Sequence, residues 1–183
     1  GFTIEIDQSG LPASDLAARA AALSILDGVV TRSRAVDDQF DAATTALESR
    51  DRAFVRLLVA TVLKRARQMD AVLQKFLHEP LAVMKPASLI NIFRLGMAQV
   101  AFLKTPTHAA VDTTVALAEA VGIAHQKPLV NAVMRRLTRE GFPDMEDRDA
   151  GKFNTPDWLW VEWMKDYGVE TALAIAAANF DEA

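Results

Sequence analysis

The segment from Pro86 to Phe102 limits the fold more than any other stretch. Leu89, Ile90, Ile92, Phe93, Leu95, Met97, Val100, Ala101 and Phe102 make it apolar nearly all round. A helix of that kind is stable only when other elements cover it, which makes it a central core element. Pro86 suits its first position, where an N–H has no helical partner to lose. Gly96 lets a neighbour approach closely, at a helix-propensity cost of about 1 kcal/mol. Arg94 stands alone among these residues, so its charge is expected to find an ion pair or carbonyl partners.

Helical spacing extends to both sides of this segment. Leu16, Ala20, Leu23, Leu26 and Val30 form one stripe, with Ser14 placed to cap it. Val36, Phe40, Ala43 and Leu47 mark a short helix. Ser49 caps a longer one, with Phe54, Leu57, Leu58, Thr61, Val62 and Arg65 in register, expected to end near Gln68. A separate helix is expected from about Asp70 to His78, with Val72, Leu73, Phe76 and Leu77 inward and Pro80 as its stop. Thr105-Pro106-Thr107 breaks the chain after the central segment. His108 to Val121 reads as a helix through Val111, Val115, Leu117 and Ala118, with Gly122 ending it. Pro128 opens another to about Arg139, with Leu129, Val130, Val133, Met134 and Leu137 inward and Gly141 beyond its end. Ile4 to Ile6 could be extended but is isolated, so the expected class is all-α.

Four segments follow from this reading. Residues 1–13 are an N-terminal extension, 14–142 a helical bundle, 143–154 an acidic, turn-rich linker, and 155–183 a helical annex. Thr155-Pro156-Asp157 is a strong helix start, with a hydroxyl cap, a proline and a carboxylate at the positive dipole end. Trp160, Trp163 and Tyr167 follow at i, i+3 and i+7. They are expected to pack the annex onto the bundle, with Trp158 or Trp160 partly exposed where a further domain docks.

Several function classes drop out. The longest stretch without Asp, Glu, Lys or Arg is ten residues, Thr171 to Phe180, while a membrane helix needs about 20 apolar residues. The N-terminus carries Glu5 and Asp7 and no basic region, so it is not read as a secretory signal. It lacks an initiator Met and is expected to be trimmed. No cysteine is present, and His78, His108 and His125 stand far apart, so neither a thiolate site nor a zinc helix motif can be built. There is no glycine-rich phosphate turn and no nucleophile elbow. Asp37 and Asp38 suit a helix start, and the run Asp144, Glu146, Asp147 and Asp149 reads as a solvated linker. No catalytic, metal or cofactor site is expected in this chain.

Charge is distributed unevenly along the sequence. The first 48 residues hold 3 basic and 8 acidic side chains, residues 49–104 hold 10 and 3, residues 105–142 hold 4 and 3, and residues 143–183 hold 3 and 10. A basic middle between acidic ends is compatible with a polyanionic partner, because local potential steers such a ligand whatever the net charge.

The block 49–139 also carries a family resemblance. Asp51-Arg52-Ala53-Phe54, Ile92-Phe93-Arg94-Leu95-Gly96, Pro106-Thr107-His108-Ala109-Ala110-Val111 and Val130-Asn131-Ala132-Val133-Met134-Arg135-Arg136 resemble, in order and spacing, the NusB family of all-helical RNA-binding domains. Thr155-Pro156-Asp157-Trp158-Leu159, Trp163, Asp166-Tyr167-Gly168 and Ala176-Ala177-Ala178-Asn179 look like the segment that joins such a domain to the methyltransferase of the Sun/Fmu/RsmB family. The resemblance implies a NusB-like bundle at 14–142. It also implies a cytoplasmic parent that transfers a methyl group from S-adenosylmethionine to cytosine C5 of 16S rRNA. The catalytic domain and its cofactor would lie outside this chain. The implied partners are rRNA, the catalytic domain of the same parent and, as a further candidate, a ribosomal protein.

Candidate RNA-contacting residues follow from placement. Arg135 and Arg139 share a helix face, Asn131 extends it and Arg136 adjoins it. Lys64, Arg65 and Arg67 are expected to cluster where the long helix ends, at the negative end of its dipole. Arg32 and Arg34 fall in the turn after the first helix. NusB factors carry an arginine cluster at the start of that helix, where this chain offers Arg19 beside Asp15. Arginine matches phosphate bidentately, and such groups together give salt-dependent affinity. Two other readings remain at this point: a helical interaction module that docks a catalytic domain or ribosomal protein with little RNA affinity, and a standalone antitermination factor.

Overall fold

The computed structural model describes residues 13–32 and 34–142, and the side chains of 16–30 and 34–142. The described residues form six α-helices and no strand. These are α1 (Ala13–Arg32), α2 (Val36–Thr44), α3 (Ser49–Phe76), α4 (Ser88–Ala101), α5 (Thr107–Ala120) and α6 (Lys127–Glu140). Short 3₁₀ turns at Leu81–Val83 and Ala124–Gln126 lead into α4 and α6. Among the described residues no helix is long and apolar enough to cross a membrane. The linker, the annex with its tryptophans, and Ile4 to Ile6 lie outside the described residues.

α4 is the centre, as its composition requires. It packs against α1, α3, α5 and α6. Leu89, Ile92, Phe93, Leu95 and Met97 are all but completely buried, each contributing roughly 1.5–3 kcal/mol by removal from water. Gly96 faces α5 and α6. A Cβ built there would lie 2.6 Å from Met134 Sδ and 2.8 Å from Thr114 Oγ1. The close approach that the missing side chain permits is therefore used.

The two expected helices at 49–68 and 70–78 are one helix of 28 residues. No glycine or proline interrupts it, and the residues at the supposed break are needed inside. Gln68 and Met69 are buried, and Asp70 receives Arg94. α3 stops at Phe76, where Leu77 turns extended before Pro80. Gln74 bridges the turn that follows. Its Nε2 donates to the Glu79 carbonyl at 3.0 Å, and its Oε1 accepts from the Leu81 amide at 3.0 Å.

Other boundaries shift by a residue or two. α4 begins at Ser88 rather than Pro86, although Leu89 already donates to the Pro86 carbonyl. α1 begins one residue before Ser14, and Glu48 rather than Ser49 occupies the cap of α3, without a side-chain bond. Gly122 and Gly141 follow α5 and α6 at φ 86° and 78°, a region that favours glycine. Two apolar residues leave their stripes: Val30 and Leu57 are about half exposed, at 53% and 50%. Val30 lies near the end of α1, and Leu57, two residues from both Val55 and Val59, points away from their buried side.

Polar groups inside the bundle are paired. Arg94 donates to both carboxylate oxygens of Asp70, at 2.7 and 2.6 Å, and to Asn91 Oδ1 at 2.8 Å. Asn91 Nδ2 in turn donates to Asp27 at 2.7 Å. The expected partner of Arg94 is therefore a carboxylate, within a chain of polar contacts that ties α1, α3 and α4 together. A planar guanidinium gripping both carboxylate oxygens fixes orientation as well as distance.

Candidate nucleic-acid interface

α6 has the cleanest amphipathic pattern in the bundle. Val130, Val133, Met134 and Leu137 are buried, as their spacing predicts. On the other side Arg135 and Arg139 are exposed, and Arg135 Nε donates to Asn131 Oδ1 at 3.2 Å. Arg136 lies at the edge. Its Nε donates to Glu140 at 3.0 Å, and its guanidinium sits 4.4 Å from the centre of the Phe76 ring at the end of α3. The α6 candidates thus form one outward strip that borders α3.

The same seam continues along α3. The Arg65 guanidinium lies 4.6 Å from the Phe102 ring centre, and Nη1 donates to Gln68 at 3.3 Å. Phe102 meets Phe142 edge-on, with ring centres 5.1 Å apart. Arg136 on Phe76, and Phe142 near Arg65, make α6 run antiparallel to the second half of α3. Cations placed over ring faces gain about 0.5–2 kcal/mol, and the rings hold them in place.

Lys64, Arg65 and Arg67 do not share a face. At 3.6 residues per turn, Arg67 points nearly opposite to Arg65, and Lys64 about a quarter-turn away. They also lie well inside α3, so the dipole argument for them fails. Lys75 occupies the last turn instead. Arg65 belongs to the seam with α6, whereas Lys64 and Arg67 lie toward the solvent side of α3.

Arg19 corrects the expectation of a surface residue. It is buried at 6% exposure. Its Nε donates to Gln99 Oε1 at 2.9 Å, and its guanidinium lies 5.0 Å from the Phe54 ring centre. Its place on the inner face of α1, beside Ala18 and Ala22, puts it in the core. Arg34 is exposed in the turn between α1 and α2, apart from the α3–α6 seam. It borders a shallow groove with Ser24, Asp38, Gln39, Ala42 and Ala43. The Arg32 side chain lies outside the described residues.

Two cations were missed. Arg56, exposed on α3, stacks 4.1 Å from the Phe40 ring centre, and Arg52 pairs with Asp41 at 3.4 Å. Their i, i+4 spacing on a helix was the available signal.

Among the described residues, Gly28 and Gly96 are inside helices against Gln39 and Met134, and Gly122 and Gly141 are isolated turn positions. Among the described residues, no three His, Cys, Asp or Glu side chains group as metal ligands.

Comparison with known proteins matches this architecture. The chain is 38% identical over 157 residues to ribosomal RNA small subunit methyltransferase B of Xanthomonas campestris, covering 85% of this chain and 35% of that protein. The protein of that name in Vibrio cholerae is 30% identical, with 90% of this chain and 38% of the relative covered. The chain thus spans little more than a third of the length of these curated relatives. Among solved structures, the crystal structure of antitermination factors NusB and NusE in complex with dsRNA contains a chain of the same fold. Its TM-score is 0.63 at 18% identity, over 72% of this chain and all of that one. A chain in the crystal structure of a plectonemic RNA supercoil also gives 0.63, at 19% identity, over 70% of this chain and 96% of its own. The NusB family model matches residues 16–139, from Leu16 in the first turn of α1 to the last arginine of α6. By that match and by its six-helix bundle around α4, the chain belongs to the NusB family.

Proposed function

We propose that this chain is the RNA-binding domain of a small-subunit rRNA cytosine-C5 methyltransferase, positioning rRNA for a catalytic domain outside it. The observation that carries this reading is the basic seam of α3 and α6. Arg135 and Arg139 are exposed there, and Arg65 and Arg136 are braced on aromatic rings, within a fold whose solved neighbour was crystallised with dsRNA. Residues of this kind hold phosphates with little sequence preference. Asn131 extends the strip, Lys64 and Arg67 add potential from α3, and Arg32 and Arg34 are outlying candidates. S-adenosylmethionine would supply the methyl group in the other domain, and the reacting groups would belong there. The parent would work in the cytoplasm.

The tail favours this reading over a standalone antitermination factor. A relative named as the methyltransferase, from Xylella fastidiosa, matches over 92% of the chain, which carries the similarity past α6 into the last 41 residues.

Titration of labelled small-subunit rRNA fragments at several salt concentrations tests the proposal. Affinity is expected to fall steeply with salt. Arg135→Gln and Arg139→Gln should each lower the slope of log K against log salt by about one. Absence of binding at low salt would favour a docking module and overturn the proposal. Arg19→Met serves as the contrast. It should lower unfolding free energy by about 2 kcal/mol, through loss of a buried charged hydrogen bond, and leave the salt slope unchanged.

A further inference from the structure

α3 carries a second arginine pair, apart from its seam with α6. Arg52 and Arg56 stand one turn apart, about 40° from each other around the axis and about 6 Å along it. α2 packs against this end of α3. Its Phe40 is buried, and the ring centre lies 4.1 Å from the Arg56 guanidinium. Phe40, Ser49, Arg52, Ala53 and Arg56 line a shallow hollow of about 250 Å³. The pocket of a drug-sized ligand begins at about 300 Å³, so this one suits a smaller group. Arg65 lies nine residues on from Arg56, half a turn round the helix, so the pair faces away from the seam.

Three observations identify what fits there. Arg56 is exposed while its guanidinium rests on Phe40, so one side of the planar cation is seated and the other meets water. A guanidinium plane held in this way is a platform on which a nucleobase stacks. Arg52, one turn earlier, already holds an anionic oxygen, for its Nη2 donates to Asp41 Oδ1 at 3.4 Å. That pair is loose, with the Asp41 side chain 90% exposed and that of Arg52 42% exposed, and surface pairs of this kind add little to stability. A phosphate engages two donors of one guanidinium at once and displaces such a carboxylate. From Arg52 to Met69, α3 carries five cations and no carboxylate, which favours an anionic ligand along its length.

We infer that the hollow takes one unpaired nucleotide of an RNA strand, with its base stacked on the outer side of Arg56 and its phosphate on Arg52 in place of Asp41. The inference rests on the RNA-binding reading above and adds a contact on a different side of α3. An A-form duplex fits less well, because its bases are stacked on one another and offer no free face. An acidic peptide would satisfy Arg52 and leave the plane of Arg56 unused.

Fluorescence anisotropy of a labelled oligouridylate with the full 183-residue chain tests this. Arg56→Lys keeps the charge but loses the plane. It should weaken binding about fivefold and leave the salt slope unchanged. Arg52→Gln should lower the slope of log K against log salt by about 0.7, the single-strand value for one phosphate. Asp41→Asn removes the competing carboxylate and should tighten binding about threefold. None of the three side chains is buried, so urea midpoints should stay at the wild-type value. An abasic strand of the same length should bind more weakly and ignore Arg56→Lys. Oligouridylate binding that ignores all three substitutions overturns the inference. So does polyglutamate that competes as well as RNA of equal charge. If rRNA binding answers to Arg135→Gln and Arg139→Gln but not to changes at Arg52, Arg56 and Asp41, this inference fails alone. If no RNA binds at low salt, the RNA-binding reading fails with it.

Discussion

Arg94→Ala is expected to destabilise the bundle by about 3 kcal/mol in urea unfolding. The value sits at the low end for breaking a buried ion pair, because the two side chains retain 14% and 29% exposure. The loss is not one bond. Asp70 keeps a charge against the bundle with its two closest donors gone, and Asn91 loses its contact at 2.8 Å. The double variant Arg94→Met with Asp70→Leu should recover a large part of the loss, since an apolar pair of similar volume removes the stranded charge. If Arg94→Ala alone unfolds at the wild-type urea concentration, the network contributes nothing to stability.

Gly96→Val should cost a similar amount, about 3 kcal/mol, at the upper end of what overpacking a core brings. The branched side chain would meet Met134 and Thr114 inside normal contact distance. Met134 is fully buried, so its thioether end would have to shift within the core. The Thr114 hydroxyl is fixed by its 2.6 Å bond to the Ala110 carbonyl. Gly96→Ala should cost less, because about 1 kcal/mol of helix propensity offsets the crowding. For a chain of this size 3 kcal/mol corresponds to a fall in Tm of about 10 °C, measurable by differential scanning calorimetry. Shortening Met134 to Val in the Gly96→Ala background should return part of the loss. An unchanged Tm for Gly96→Val would mean that α4 and α6 separate without cost.

The core was legible because its signal is repeated. The apolar run of α4, the inward stripe of α6 and the glycine stops each depend on one helix's own spacing, and each appears where the spacing puts it. The continuity of α3 was not legible. Gln68 and Asp70 look like solvated residues at a helix boundary, and only the burial of Gln68 and the Arg94 partner of Asp70 show why they sit mid-helix. Arg94 was readable in kind but not in detail, since its apolar surroundings demand a counter-charge without saying which one. Arg19 misled for the opposite reason. Its neighbours in sequence include Asp15 and a run of alanines, and its burial depends on Gln99, 80 residues away. The candidate interface was half legible. The α6 strip follows from i, i+4 spacing, while the division of Lys64, Arg65 and Arg67 between faces needs the rotation per residue and the aromatic seats beneath Arg65 and Arg136.

The length of α3 has a mechanical consequence. Twenty-eight unbroken residues make a rod of about 42 Å, against about 21 Å for each 14-residue helix from α4 to α6. Arg56 on Phe40 stands two turns in from one end of this rod, and Phe76 under Arg136 marks the other end. A strut without a joint fixes the spacing between those two seats, about 30 Å. Any body that grips both is held at a distance that the domain itself dictates.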